Sequence, residues 1–141
     1  MAVLTWNDSL RLGVESLDAE HRALLALLNE VLAVDGEPWS AGDGAAFVDR
    51  LFTLASEHVR HEEAVMERIG YPDLENHRRA HATLREQARF LKKVIEDEDN
   101  PALIRIELAG FLSSWMADHM AAMDMPLRPY IARHVALNGP L

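Results

Sequence analysis

The chain has 141 residues, no cysteine and a formal net charge of −9. Without cysteine, disulfides, iron–sulfur clusters and thiolate zinc sites are excluded, so any metal must be held by nitrogen and oxygen atoms. The negative charge disfavours nucleic acid as a partner. No apolar run approaches the ~20 residues of a membrane span, and the start of the chain resembles no signal peptide. We therefore expect a soluble, cytoplasmic protein without membrane insertion.

Apolar residues recur at steps of three and four through most of the chain, which predicts helices. The four predicted helices run from Glu15 to about Val34, from Phe47 to Gly70, from about Asp73 to Glu96, and from Pro101 to just before Pro126. Between the first and the second, residues 35–44 are rich in glycine, proline and serine and are predicted to form a loop. No segment shows the alternation that is typical of a strand.

The predicted connections are short, so successive helices should be antiparallel neighbours. The predicted fold is all-α: an up-down-up-down four-helix bundle with an N-terminal arm and a short C-terminal extra helix. We assign the whole chain, residues 1–141, to one domain, with the arm at residues 1–14, the bundle at about 15–125 and the tail at 126–141.

Seven possible metal ligands recur at helical spacing on the apolar faces of these helices: His21, His58, Glu62, His77, His81, His119 and Asp124. A buried imidazole needs a polar partner. Backbone partners would explain any one of the five histidines, but five together indicate a metal. Iron, manganese and zinc all suit imidazole and carboxylate ligands. Seven side chains exceed the needs of one ion, whereas two ions that share carboxylates would use them all.

Spacing supports some of these residues more strongly than others. His58 and Glu62 are four residues apart, which places them about 40° apart on one helix face. Asp124 follows His119 by five residues, about 140° around an ideal helix. On spacing alone Asp124 is a surface residue, and it joins the other six only if the helix loosens or bulges before Pro126. The sequence contains no HExxH motif and no Glu-x-x-His pair, which disfavours zincins and ferritin-like oxidases.

Four strings carry a family resemblance: DAEH at 18–21, HVRHEEAVM at 58–66, GYPDLENHRRAH at 70–81 and WMADHMAAMD at 115–124. Together they resemble the successive signatures of the hemerythrin family, specifically of single-domain bacteriohemerythrins. The resemblance extends from about Trp6 to Asp124 and fills all seven ligand positions.

This resemblance implies a non-haem pair of iron ions joined by an oxo or hydroxo bridge, where dioxygen binds reversibly at an open position. The implied ligand roles are His77, His81 and His119 on one iron, His21 and His58 on the other, and Glu62 and Asp124 as bridges. Asp124 is therefore expected to be a ligand, although spacing alone does not indicate it. Two carboxylates among five neutral imidazoles leave little negative charge to stabilise high-valent iron, which favours oxygen carriage over oxygenase chemistry.

An oxygen pocket is predicted beside the open iron, although ordinary core packing would explain each of its members equally well. The candidates are Trp6, Leu24, Val59, Trp115, Met116 and Met120. Val59 stands where the family commonly has phenylalanine, and the two methionines stand where leucine or isoleucine is usual. We predict a roomier pocket and faster loss of the ferrous form than in a bulkier-lined relative.

Three functions fit such a site. The first is an oxygen carrier, store or deliverer, and it is preferred. The second is a sensor read by a separate protein, because the chain has no room for an output domain. The third is an enzyme acting on peroxide or nitric oxide, which would need a general acid or an extra carboxylate near the open iron. His61 is the only candidate for that acid, and an exposed position on a helix flank is the preferred interpretation of it. Glu63 and the EDEDN run at 96–100 are interpreted as solvated charge. The expected partners are dioxygen and an unidentified oxygen-consuming or signalling protein.

Overall fold

In a computed structural model, which describes residues 5–33 and 38–141, every element of secondary structure within those ranges is helical. The elements are a 3₁₀ turn at Asp8–Leu10, α1 at Glu15–Leu32, α2 at Ala41–Ile69, α3 at Leu74–Glu96, α4 at Pro101–Trp115, a π-helical segment at Met116–Asp124, a 3₁₀ turn at Met125–Leu127 and α5 at Arg128–Asn138. The all-α prediction is confirmed, and α5 is the predicted C-terminal extra helix. Val34, the expected end of the first helix, lies outside the described residues, as do residues 1–4 of the arm and 35–37 of the loop.

Two apolar clusters lie at opposite ends of the four long helices. The larger cluster contains Leu24, Leu25, Leu27, Leu28, Val31, Leu32, Phe47, Val48, Leu51, Ile95, Ile104, Leu108, Ala109, Leu112 and Trp115. The smaller cluster contains Leu12, Val14, Leu17, Val65, Met66, Leu127 and Ile131. On α1 and α2, the histidines and carboxylates of the predicted site fall between residues of the two clusters. On α3 they fall between Leu74, which packs against the smaller cluster, and Ile95 of the larger one. His119 and Asp124, in the π-helical segment after α4, fall between Trp115 of the larger cluster and Leu127 of the smaller one. The bundle therefore encloses a polar layer between two apolar ends.

The order of the clusters along the chain reverses from one helix to the next. On α1 the smaller cluster comes first, with Leu17, and the larger cluster follows from Leu24. On α2 the larger cluster comes first, up to Leu51, and the smaller cluster follows from Val65. On α3, Leu74, which packs against the smaller cluster, precedes Ile95 of the larger one. After α3 the order reverses: the larger cluster ends with Trp115 on α4, and the smaller one follows at Leu127, past the π-helical segment. An up-down-up-down arrangement requires this alternation.

Helix α2 begins earlier than predicted, because residues 41–44 are helical and not part of the loop. A capping box starts the helix: the backbone N–H of Asp43 donates to Ser40 Oγ at 3.0 Å, and the Ser40 N–H donates to Asp43 Oδ2 at 3.0 Å. Gly44 lies against α3 and α4, where a Cβ would fall 2.6 Å from Ile95 Cγ2 and 2.7 Å from Ile104 Cγ2. The glycine that suggests a loop in the sequence permits close helix packing.

The N-terminal arm is fastened to α1 by a buried aspartate. Asp18, which is fully buried, accepts hydrogen bonds from the backbone N–H of Leu12 at 2.7 Å and of Gly13 at 3.3 Å. At the far end of α2, Gly70 has a φ of 66° and ends the helix as predicted. Within the described ranges, no helix is long and apolar enough to cross a membrane.

Candidate metal centre

All seven predicted ligands are buried in the polar layer, each with at most 4% of its surface exposed. Their nitrogen and oxygen atoms form two groups, within each of which the candidate ligand atoms lie within 4.8 Å of one another. One group contains His77, His81, His119, Glu62 and Asp124, and the other contains His21, His58, Glu62 and Asp124. Three helices, α1, α2 and α3, and the π-helical segment thus bring together the side chains that the sequence predicts.

Asp124 reaches the layer because the fourth helix changes its winding. After Trp115 the chain continues as a π-helix from Met116 to Asp124. A π-helix has i→i+5 hydrogen bonds, so residues five apart lie one above the other, as His119 and Asp124 do here. The ideal-helix reading, which places Asp124 on the surface, is therefore wrong, and the alternative of a loosened helix end is what the chain adopts.

Each of the two carboxylates faces both groups. Glu62 Oε1 lies 2.9 Å from His77 Nε2, while Glu62 Oε2 lies 3.0 Å from His58 Nε2. Asp124 Oδ1 lies 3.0 Å from both His77 Nε2 and His119 Nε2, while Asp124 Oδ2 lies 3.2 Å from His21 Nε2. One oxygen of each carboxylate is thus directed to each group. Carboxylates in this position can bridge two cations.

The spacing of the imidazole nitrogens also fits cation binding. The Nε2 atoms of His21 and His58 are 2.9 Å apart, and His119 Nε2 lies 3.2 Å from that of His77 and 3.0 Å from that of His81. Adjacent ligands on an octahedral ion are about 3.0 Å apart when each metal–nitrogen bond is about 2.1 Å long. The nitrogens already have the separation that an ion needs.

Within the described residues, the hydrogen-bonding capacity of the Glu62 and Asp124 carboxylates is not met. All four oxygens of Glu62 and Asp124 are buried and lie against imidazole nitrogens, but none of these contacts has the geometry of a hydrogen bond. A buried carboxylate whose hydrogen bonds are not made is costly, because burial removes its hydration. A cation in each group would satisfy these oxygens. The donor set contains five imidazoles, two carboxylates and no sulfur, which suits iron, manganese or zinc.

Without a cation, the charges of the layer are balanced by protons on the imidazoles. Burial lowers the pKa of His58, but the Glu20 and Glu62 carboxylates outweigh burial and raise it to about 10. Burial likewise lowers the pKa of His77, and Asp124 and Glu62 raise it to about 9. Burial raises the pKa of Glu62, but four neighbouring histidines hold it well below its usual range. Cations and protons therefore compete for these nitrogens.

The predicted pocket residues surround the layer in different ways. Val59 and Trp115 line an apolar pocket of about 50 Å³ that reaches His81. The Trp115 ring is stacked on the His119 ring at 6.1 Å between centroids. The other four candidates pack in or beside the apolar core: Leu24 and Met120 are buried, and Trp6 and Met116 are partly buried against the larger cluster. Their role as an oxygen pocket stays a prediction.

Two carboxylates beside the layer are missed by the sequence reasoning. Glu63, interpreted there as solvated charge, has its Oε1 3.0 Å from His81 Nδ1, which corrects that interpretation. Glu20 Oε2 lies 3.7 Å from His58 Nδ1. His61, which is expected to be exposed, is only half-exposed, and its Nδ1 lies 2.6 Å from Glu20 Oε1. Both carboxylates adjoin a ligand in the sequence, Glu20 before His21 and Glu63 after Glu62, which is the one signal that could have found them.

The fold and the site together define a class: a helical bundle with a buried layer of nitrogen and oxygen donors in which two groups share two carboxylates. Comparison with known proteins agrees. Residues 12–131 match the family model of the hemerythrin HHE cation binding domain. The chain therefore belongs to the hemerythrin family.

Similar proteins carry the names of this family. A bacteriohemerythrin of Ralstonia nicotianae is 31% identical over 133 residues, which cover 94% of this chain and 92% of that protein. A bacteriohemerythrin of Stenotrophomonas maltophilia is 29% identical over 142 residues, covering 96% and 86%. A myohemerythrin of Riftia pachyptila is 24% identical over 119 residues, covering 84% and 86%.

Proposed function

We propose that this protein binds dioxygen reversibly at a non-haem di-iron centre, for oxygen storage, transport or delivery. One observation carries the proposal: the two donor groups share Glu62 and Asp124 but are unequal, because one adds three imidazoles and the other adds two. If the two irons have the same coordination number, protein fills one position fewer on the iron held by His21 and His58 than on the other iron. A small molecule has access to a metal only through such a position.

The proposed ligand roles follow the two groups. One iron would be held by His77, His81 and His119, the other by His21 and His58, with Glu62 and Asp124 bridging the two. When bound, the iron pair supplies electrons that can pass to dioxygen and return. The protein supplies a fixed set of donors, and their two carboxylates and five neutral imidazoles favour reversible binding over deeper oxidation.

The apolar residues around the layer contribute by excluding water. Leu24 is fully buried and Met120 is 5% exposed, so neither brings water or a proton donor to the site. The buried Trp115 ring lies parallel to the His119 ring and adds an apolar surface beside it. Exclusion of water and protons favours the release of intact dioxygen over irreversible oxidation of the metal.

A spectroscopic cycle tests the proposal. Protein loaded with ferrous iron under anaerobic conditions is exposed to air, degassed and exposed again, while its visible spectrum is recorded. We expect an absorption band that appears with air and disappears on degassing over several cycles. A band that persists after the first degassing, or no change on exposure to air, would contradict reversible binding.

The proposal also concerns enzymatic activity, a sensor role, the location of the protein and its domain organisation. We infer no enzymatic activity, because within the described residues the metals would occupy both acids of the group with the open position, Glu62 and Asp124. The nearby Glu20 faces the outward nitrogen of His58 and is engaged by His61. Catalytic turnover of peroxide or nitric oxide in the experiment above would reverse this choice. A sensor role would need a separate protein that reads the iron state. We further propose a cytoplasmic location and a single domain over residues 1–141.

A further inference from the structure

Two carboxylates outside the proposed ligand set lie against the outward-facing sides of two imidazoles. Glu63 Oε1 is 3.0 Å from His81 Nδ1, and Glu20 Oε2 is 3.7 Å from His58 Nδ1. Both histidines turn the opposite nitrogen, Nε2, towards the shared carboxylate of Glu62. One such contact therefore belongs to each donor group. The Glu20 and Glu63 side chains are each 25% exposed, so both link the buried layer to the surface.

The two carboxylates also have different outer partners. Glu20 Oε1 is 2.6 Å from His61 Nδ1. Glu63 Oε2 is 3.8 Å from Arg78 Nε. The Glu63–His81 contact is within hydrogen-bond distance, and the Glu20–His58 contact is beyond it.

An imidazole that offers Nε2 to a metal carries its remaining proton on Nδ1. A carboxylate at Nδ1 fixes the ring orientation and makes Nε2 a stronger donor. We propose that Glu63 is a positioning residue for His81, and that Glu20, which lies beyond hydrogen-bond distance of His58, acts on that imidazole only through its charge and with a smaller effect. This inference rests on the ligand roles in the proposed function but not on oxygen binding.

Ferrous iron alone, titrated under anaerobic conditions into the full-length metal-free protein, is the probe. We expect E63A to bind iron about 10- to 100-fold more weakly than wild type. E20A should lose affinity by a smaller factor, because its contact is longer. E63Q should recover part of the loss, because the amide oxygen can still accept the Nδ1 proton. It also keeps the test valid should E63A fail to fold.

Matched control variants exist on the same helices. Glu67 on α2 is 74% exposed and its Oε2 lies 3.7 Å from an Arg78 nitrogen, so E67A removes a similar charge near the same arginine. Glu15 on α1 is 73% exposed and faces Arg11 and Arg22, so it serves as the control for Glu20. Both controls should bind iron within about twofold of wild type, the small effect expected of exposed ion pairs.

The midpoint potential of the iron pair separates positioning from general stability. Removal of an anionic partner weakens electron donation by the imidazole, so E63A should shift the potential upwards, while E67A should not. Equal iron affinity and potential in E63A and E67A would overturn the inference. Failure of this inference can be told apart from failure of the proposed function. The inference fails if the variants have equal iron affinity and potential, whereas the proposed function fails if wild type binds iron but does not release dioxygen.

Discussion

Iron binding should expel protons from the metal-free layer. The raised pKa values of His58, about 10, and His77, about 9, mean that both imidazoles are protonated at pH 7. Metal-ligating nitrogens must be deprotonated, so we predict that binding of iron at pH 7 releases about two protons per chain. Burial lowers the pKa of His21, but the Asp124 and Glu62 carboxylates outweigh burial and raise it.

The size of the effect follows from the distance between pH and pKa. Deprotonation of His58 and His77 at pH 7 costs about 7 kcal/mol in total, at about 1.4 kcal/mol per pKa unit. This cost falls as the pH rises, so the apparent binding constant should increase about 100-fold per pH unit between pH 6.5 and 8.5.

Calorimetric titration with ferrous iron under anaerobic conditions, in two buffers of different ionisation enthalpy, counts the released protons. Parallel titrations at pH 6.5 and 8.5 give the change in affinity. Release of fewer than about half a proton, or equal affinity at the two pH values, would refute the reasoning. A matched comparison uses E67A, which leaves the buried carboxylates in place and should release as many protons as wild type.

Three further predictions follow from the structure. The raised pKa values of His58 and His77 stabilise the metal-free fold below pH 6.5. Its free energy of unfolding in urea should therefore fall by several kcal/mol as the pH rises through 9 and 10. A constant free energy of unfolding from pH 6 to 10 would argue against this prediction. Val59→Phe should narrow the apolar pocket beside His81 and slow conversion of the ferrous form to the ferric form in air, measured by absorbance. Faster conversion in the variant than in wild type would count against a roomy wild-type pocket. Gly44→Ala should destabilise the protein by about 1–3 kcal/mol, because its Cβ would meet Ile95 and Ile104; Gly110→Ala, whose Cβ meets nothing within 4 Å, is the control and should not destabilise.

Residues at helical spacing were predictable because a regular helix fixes their relative directions. The steps of four from His58 to Glu62 and from His77 to His81 place each pair on one face, and all four side chains are buried in the layer. The apolar residues at the same spacing form the two clusters around it. Helical period and the need of buried imidazoles for partners therefore predict most of the site.

Asp124 shows where that reasoning stops. The direction of its side chain depends on the change from α-helix to π-helix after Trp115, and no spacing rule for a regular helix contains that change. Only the family resemblance places Asp124 among the ligands before the structure is known. The change in winding affects only a short segment. What it achieves is a contact between the Asp124 carboxylate and imidazoles on other helices, which local spacing does not contain.

Glu20 and Glu63 could not be assigned from spacing on one helix. Each contacts a histidine on a different helix, so its partner depends on which faces of α1, α2 and α3 meet.

The start of α2 is a different case. The Ser40 to Asp43 capping box is visible in the sequence, but the neighbouring glycines outweigh it in a reading by composition.

The claim on which everything else depends is that the polar layer binds a pair of irons. Metal-free protein saturated with ferrous iron under anaerobic conditions, freed of unbound metal and analysed for iron and protein, tests it most directly. We predict two irons per chain, one for each donor group, and a loss of at least one of them in His77→Ala. One iron or none in wild type, or an undiminished content in His77→Ala, would contradict the account.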